Sequence, residues 1–407
     1  MSNYIVREQL ADVLLEHRGT PEIKVLTGVR RCGKSTLLSH YAETLIADGV
    51  PRRNVFTRRF DSFDIPLDYS AEALYRELQE AVAQADPGMF YVFLDEIQEV
   101  SGWEGVVRRL HTREDTDVYI TGSNAYLLSG ELATYLTGRY VTIPVYPLSF
   151  REYALHAEKQ NAGTSRDQLF ARYMMFGGMP GLYVSGDPDQ GKADEILGAI
   201  YESVVVKDVA TRYAIRDLSV LEKLSRYLFS TSGNLFSTNN VVKVLRNVGM
   251  NVTYATVDNQ IDALEKAFII YGCEQSRIRG KELLRPQRKY YPVDNGFRNL
   301  ANGFNGADLG AQLEGIVFME LRRRGYAVTI GTMPGGEIDF VARRNAEKLY
   351  IQVTLNMTDE RTRERELQPL RDLDDAFPRI VLTLDRFGGG VTSEGVRIVN
   401  VVDWLCE

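Results

Sequence analysis

Gly28-Val-Arg-Arg-Cys-Gly-Lys-Ser35 matches G-x-x-x-x-G-K-[ST] in full, and this pattern admits few folds. It works where a buried strand ends in a glycine-rich turn that opens straight into a helix. Backbone N–H groups then converge on one point at the helix N-terminus. The flanks agree: the apolar run Ile23–Leu26 precedes the loop and a helical pattern, Ser35–Ile46, follows it. Gly28, Val29, Arg30, Arg31, Cys32, Gly33, Lys34, Ser35 and Thr36 form the candidate phosphate cradle. Lys34 is expected to neutralise the β- and γ-phosphates of ATP, and Ser35 to ligate Mg²⁺. The plainer reading, a glycine turn with an incidental lysine, leaves both flanks unexplained.

A second element follows some 60 residues on. Phe90-Tyr-Val-Phe-Leu-Asp95-Glu96 reads as a buried strand ending in two carboxylates, with Asp95 placed for the Mg²⁺ shell and Glu96 for polarising the attacking water. The strand candidate Val55–Phe60 lies between the two motifs, which points to an additional-strand ATPase rather than a kinase-like P-loop. Val118-Tyr-Ile-Thr121-Gly-Ser-Asn124 is a third strand ending in small polar groups. Ser123 or Asn124 is placed to bond the γ-phosphate or the water, and an ordinary Gly-Ser-Asn turn explains the residues equally well. With Ile23–Thr27 and Tyr140–Pro144 these make five strand candidates alternating with helical patterns, as in a parallel sheet covered by helices.

Among the 407 residues, 44% are apolar, enough for several cores, and no run approaches the ~18 apolar residues that span a bilayer. The first residues, with Arg7, Glu8 and Asp12, lack an apolar signal core, so a cytoplasmic location is expected and no membrane association. Three scattered cysteines and four histidines give no zinc-ligand spacing. A net charge of −7 argues against coating nucleic acid with the whole surface, though not against a local basic patch.

With these motifs the chain resembles the AAA+ superfamily. More closely, it is similar to ATPases that join an AAA-type module to a C-terminal domain called DUF4143. The resemblance is carried by the P-loop, Leu94-Asp-Glu-Ile-Gln98, Thr121-Gly-Ser-Asn124, Leu136-Thr-Gly-Arg139, Pro147-Leu-Ser-Phe-Arg-Glu-Tyr153, Gly177-Gly-Met-Pro180 and Gly336-Glu-Ile-Asp-Phe340. It implies that Arg139, after the third strand, reaches a neighbouring subunit's γ-phosphate, in a homo-oligomeric ring for which a hexamer is one candidate size. A surface or salt-bridged arginine is the alternative.

Residues 218–293 resemble a winged helix, with Thr253–Phe268 as recognition helix and Ile270–Tyr291 as wing. The wing carries Arg277, Arg279, Lys281, Arg285, Arg288 and Lys289 against one acid, Glu282, which suits a DNA phosphate backbone. Asp258, Asp262 and Glu265 on the helix oppose groove binding, and a solvated wing used for protein packing is the competing reading. Further on, Glu314 on a helix, Asp339 on one strand and Gln352 on the next resemble a PD-(D/E)xK nuclease site, a fold that also houses Holliday-junction resolvases. Gln352 stands where a second acid is expected and Thr354 where a lysine is. Lys348 is where a relocated lysine would sit. Cleavage is therefore expected to be lost or feeble. Arg322-Arg-Arg324 is either a binding patch or a solvated face.

The fold expected is α/β: a P-loop additional-strand ATPase (AAA+-like) core at 1–150, a helical lid at 151–217, a winged helix at 218–300 and a restriction-endonuclease-like α/β domain at 301–407. The expected function is ATP binding and hydrolysis by an oligomer acting on DNA, branched DNA included. Two rivals stand beside it: a nucleotide-gated switch acting on a protein partner, and an ATP-gated nuclease.

Overall fold

The computed structural model describes residues 4–122, 136, 138–160, 163–215, 217–278, 287–333 and 336–407. They form two compact units, Met1–Tyr146 and Pro147–Glu407.

In the first unit, α1 (Glu8–Glu16) leads into β1 (Ile23–Thr27), α2 (Lys34–Ala47), β2 (Val55–Arg59), α3 (Ala71–Ala83), β3 (Phe90–Asp95), α4 (Trp103–Leu110), β4 (Thr116–Thr121) and β5 (Tyr140–Pro144). The sheet has the order β2-β3-β4-β1-β5 and is parallel throughout. Inserting β4 between β1 and β3 is what distinguishes the additional-strand class. Parallel strands covered on both faces read as continuous apolar runs, and β1 and β3 are buried along their whole length. Trp103, Val107, Leu74 and Leu78 from the helices close on Val92, Leu94 and Ile120 of the sheet. In β1 a charge breaks the apolar rule. Lys24 of β1 is fully buried and is held by Asp117 of β4 at 2.6 Å, with the Thr20 carbonyl accepting a second bond at 2.7 Å. Tyr119 and the Gly19 N–H satisfy the other Asp117 oxygen, which makes this buried pair tolerable.

The second unit begins with α5 (Phe150–Gln160), α6 (Arg166–Phe176) and α7 (Gln190–Glu202), which runs on into a π-helical stretch, Ser203–Thr211. Then come α8 (Leu218–Ser230), β6 (Leu235–Phe236), α9 (Thr238–Asn247), α10 (Tyr254–Lys266), β7 (Ile270–Arg277), β8 (Arg288–Pro292) and α11 (Asn295–Asn302). The last part holds α12 (Leu309–Arg323), β9 (Ala327–Met333), β10 (Gly336–Arg344), β11 (Glu347–Thr354), α13 (Glu360–Arg371), β12 (Arg379–Thr383), β13 (Gly390–Val391), β14 (Val396–Asn400) and α14 (Val401–Cys406). Among the described residues these strands form one mixed sheet, β13-β14-β12-β11-β10-β9-β7-β8-β6. The β7–β8 pair, expected as the wing of a winged helix, is thus part of the C-terminal sheet, since β7 pairs in parallel with β9 from Gln275↔Ile330 to Arg277↔Thr332. Sequence patterning separates these segments because it sees each strand but not its neighbour.

The Gly177-Gly178 pair has a local structural cause. Gly177 ends α6 at φ 77°, and a Cβ there would lie 1.8 Å from Asp294 Oδ1. Asp294 accepts hydrogen bonds from Gly178 N (2.6 Å) and Gly296 N (2.8 Å), which ties the α6 end to the start of α11. Among the described residues no helix is long and apolar enough to cross a membrane.

Candidate active site

In a parallel sheet every C-terminal strand end lies at one edge, and that edge gathers the site. β1 ends at Thr27 and turns at once through Gly28, whose φ of 151° few L-residues adopt. A Cβ on Gly28 would sit 1.9 Å from the Val145 carbonyl oxygen, so the loop can pass β5 only with glycine there. Cys32 Sγ donates to the same carbonyl at 3.0 Å, and Arg7 Nη1 donates to the Cys32 carbonyl at 3.1 Å, pinning the loop from both sides. Gly33, at φ 103°, is the N-cap of α2. Lys34 is buried, and its ammonium lies across the loop, donating to the carbonyls of Gly28 (2.9 Å) and Val29 (3.2 Å).

Opposite the loop, β3 delivers Asp95. The Ser35 hydroxyl donates to Asp95 Oδ1 at 3.0 Å, and Thr121 Oγ1 of β4 donates to the same oxygen. Thr121 Oγ1 also accepts the Glu96 N–H at 3.1 Å. Glu96 is left-handed (φ 54°, ψ 45°), a strained setting for this residue type that ends β3 and turns its side chain out of the strand. Its carboxylate accepts from Gln98 Nε2 at 2.6 Å. Burial pushes the Glu96 pKa above the usual carboxylate value, against the opposing pull of Gln98 and the positive field of Lys34. A cation from β2 completes the edge: Arg59 Nε lies 3.8 Å from Asp95 Oδ2 and 2.6 Å from Asp61 Oδ1.

A hydroxyl and a carboxylate oxygen 3.0 Å apart, beside a glycine cradle that no Cβ could enter, fit a hydrated divalent cation held jointly with phosphate oxygens. Held by Ser35 and Asp95, Mg²⁺ would supply charge neutralisation of the phosphates. The chain's own groups would do the rest: loop N–H groups and Lys34 would orient the phosphates, and Glu96 would take a proton from water. Sequence reasoning passed over Thr121 and Arg59. The signal for Thr121 was available, as a hydroxyl at the end of a strand that neighbours β3.

Arg139 is exposed and precedes β5, and its carbonyl accepts the Ile23 N–H at 3.0 Å. That places it at the N-terminal edge of the sheet, the length of β1 away from its own P-loop, roughly 16 Å at strand rise. It does not serve its own pocket. Asn124 and Ser123 lie outside the described residues.

In the second unit the wing cations divide. Arg277 is exposed at the end of β7, while Arg279, Lys281 and Arg285 lie outside the described residues. Lys289 is not a surface contact. It is 5% exposed and bonded to Glu314 (3.2 Å) and Glu337 (2.6 Å), because β8 runs inside the sheet rather than along a free wing. Arg288 is likewise taken up, by Glu274 and by Glu265 at 3.6 Å. Glu314, Asp339 and Gln352, the set expected of a nuclease-like site, hold the following partners. Tyr291 OH donates to Glu314 at 2.6 Å, Asp339 Oδ2 accepts Val353 N at 2.8 Å, and Gln352 bridges Asp339 N (3.2 Å) to Glu366 (2.9 Å). Burial, then the neighbouring Glu314 charge, push Asp339 far above the usual aspartate value. Lys348 does not enter this cluster, since its ammonium bonds Asp375 at 2.9 Å. Among the described residues no group of three or more His, Cys, Asp or Glu is arranged to hold a metal ion.

Fold and edge geometry together define a P-loop ATPase of the additional-strand class. An AAA domain family model matches residues 20–154, which implies ATP binding and hydrolysis. A second model, the domain of unknown function DUF8612, matches residues 167–308, where the resemblance had led us to expect DUF4143. The chain belongs to one family with an uncharacterised protein of Haemophilus influenzae, to which it is 37% identical over 99% of both chains. An uncharacterised protein of Methanocaldococcus jannaschii is 28% identical, covering 85% of this chain and 77% of its own length. In fold, the chain is similar to a Walker-type ATPase of Pyrococcus abyssi, at a TM-score of 0.52 and 16% identity, covering 74% of this chain and 96% of that one.

Proposed function

We propose that this AAA-type ATPase works as a homo-oligomer in which Lys34, Ser35, Asp95 and Glu96 of one subunit turn over ATP with Mg²⁺ and Arg139 of the next subunit completes the site. The observation that carries the reading is the Ser35–Asp95–Thr121 hydrogen-bond group with Glu96 beside it, at the strand edge that holds the P-loop. Turnover drives rearrangement of a bound target. We take that target to be DNA, branched forms included, held by Arg277 at the exposed end of β7 and by Arg279, Lys281 and Arg285, which follow it in the sequence. The Glu314–Asp339–Gln352 cluster is read as a nuclease-like remnant that does not cleave.

A second reading, a nucleotide-gated switch acting on a protein, is favoured by the pairing of Arg288 and Lys289 with acids, which removes two of six cations from the hairpin. The deciding experiment is ATP turnover with and without single-stranded, duplex and four-way-junction DNA near 50 mM salt. Stimulation that weakens on replacing Arg277, Arg279 and Arg285 with alanine, with a salt slope flatter by about 0.9 for each phosphate no longer neutralised, supports the DNA reading. Turnover and binding indifferent to every DNA overturn it and leave the switch.

A further inference from the structure

Two surface features of the first unit sit at opposite edges of its sheet, and their chemistry is complementary. One is the loop 61–70, between β2 and α3. Phe63 and Leu67 project from it fully into solvent, at 103% and 110% relative exposure, with the exposed carboxylates of Asp64 and Asp68 beside them. Two large apolar side chains exposed on one loop and flanked by carboxylates offer a contact surface. The loop springs from the nucleotide edge. Arg59 joins Asp61 to Asp95, and Phe60 N donates to the Asp95 carbonyl at 3.0 Å.

The other feature is a groove of about 370 Å³ between α3 and α4. Leu78, Val82, Val106 and Leu110 line it with apolar surface, and two cations stand at it: Arg109, whose guanidinium lies 5.6 Å from the Tyr75 ring, and Arg113, which bonds Asp115 at 2.7 Å. It lies toward the C-terminal ends of α3 and α4, which lead into the N-terminal ends of β3 and β4, and so at the edge of the sheet where Arg139 stands. Burial and then the charge of Arg139 lower the pKa of His111, which sits between Leu110 and Thr112. The loop therefore adjoins Asp95, and the groove lies at the end of the sheet where Arg139 stands.

We propose that the 61–70 loop of one copy docks into the α3–α4 groove of the next, Phe63 and Leu67 in its apolar part and Asp64 and Asp68 against Arg109 and Arg113, and that this contact carries the second copy's Arg139 to the first copy's nucleotide. The occupant is a second copy because this chain carries both the acidic, apolar loop and a groove with Arg109, and with Arg113 once it exchanges the exposed Asp115 for a loop carboxylate. The loop's acids disfavour nucleic acid. Loop and groove are different surfaces, so the contact is head-to-tail and closes into a ring or extends as a filament. The apolar pair supplies association and the ion pairs fix register. The proposal rests on the oligomeric ATPase reading above.

The test uses the full-length chain and charge reversal, with assembly followed by sedimentation and ATP binding followed separately with a fluorescent nucleotide. Asp64→Arg/Asp68→Arg and Arg109→Asp/Arg113→Asp should each bind the nucleotide as wild type does, yet sediment as monomers and hydrolyse at least tenfold more slowly. All four changes in one chain should restore assembly and turnover. Phe63→Ser/Leu67→Ser should behave like a single reversal. Either reversal assembling and hydrolysing as wild type overturns the proposal, and so does a four-fold variant no better than its parents. A wild type that turns over ATP as a monomer overturns it while leaving the ATPase intact. Loop variants that lose only the binding of an added basic peptide or of duplex DNA overturn it in favour of that partner. A chain that binds no nucleotide in any form defeats the ATPase reading itself.

Discussion

The Ser35 hydroxyl on α2 lies 3.0 Å from Asp95 Oδ1 at the end of β3, and Thr121 on β4 holds that same carboxylate oxygen from the far side. Thr121 also accepts the Glu96 N–H, so one hydroxyl fixes both acidic residues of the site. Thr121→Val keeps the shape and removes both bonds. Turnover should fall by roughly 10- to 100-fold, the effect of loosening groups that position a reacting centre, while nucleotide affinity changes little. Stopped-flow binding beside steady-state hydrolysis checks this. A valine variant with wild-type kcat makes Thr121 a packing residue only.

Arg139 stands at the edge opposite its own P-loop, so its effect should be seen only between subunits. Arg139→Ala should bind ATP and lose most hydrolysis, by about 10³-fold if it acts as arginine fingers do. Mixing it with Lys34→Ala should restore part of the activity, since an intact pocket then meets an intact arginine. No recovery at any ratio in co-assembled samples removes Arg139 from the site.

Lys289 links β8 to Glu314 and Glu337 while nearly excluded from solvent. Burial opposes its charge, but Glu314, Asp339 and Glu337 hold its pKa above the ordinary lysine value. Lys289→Ala should leave those acids uncompensated and cost about 3–5 kcal/mol, the usual range for breaking a buried pair. Urea unfolding followed by Trp404 in a Trp103→Phe background reads the second unit. An alanine variant of unchanged stability but weakened DNA binding would return Lys289 to the DNA surface.

Much of the first unit is legible in the sequence because its signals are local. The P-loop motif, the apolar run ending in Asp95-Glu96 and the remaining strand candidates fall on β1 to β5 within a few residues. In the second unit the basic hairpin and the strands of Asp339 and Gln352 are legible, but their pairing is not, and neither are the short β6 and β13. Joining β7 to β9 depends on contacts some 55 residues apart, which no periodicity records. That pairing decides the fate of Lys289, a hairpin cation in the sequence and an interior group in the fold. Lys24 shows the same limit. The sequence puts this lysine inside the apolar run Ile23–Leu26 but cannot show the partner that makes its burial tolerable, since Asp117 lies 93 residues on.

Asp294 ties Gly178 and Gly296 together while fully enclosed, and burial raises its pKa from 3.8 to about 6 despite those two N–H donors. The native state then holds a proton that the unfolded state releases between these values. Stability is fully present below about pH 4 and is lost as pH rises through about 6. The loss is about 3 kcal/mol. Relative to Asp294→Asn, which carries no titrating proton, wild type should become less stable across that window, by the Trp404 urea midpoint. A difference independent of pH shows that Asp294 is not the titrating group.

The most direct measurement is ATP turnover in Glu96→Gln beside its nucleotide affinity, across pH. The amide cannot take a proton from water, so steady-state hydrolysis should fall by about 10²- to 10⁴-fold while ATP binding is kept. In wild type the acid limb of kcat should lie above the ordinary glutamate value of 4.5, because burial raises the Glu96 pKa and the base works only when ionised. A Glu96→Gln enzyme that hydrolyses ATP at the wild-type rate, with the same acid limb, would contradict the assignment of this edge as the catalytic site.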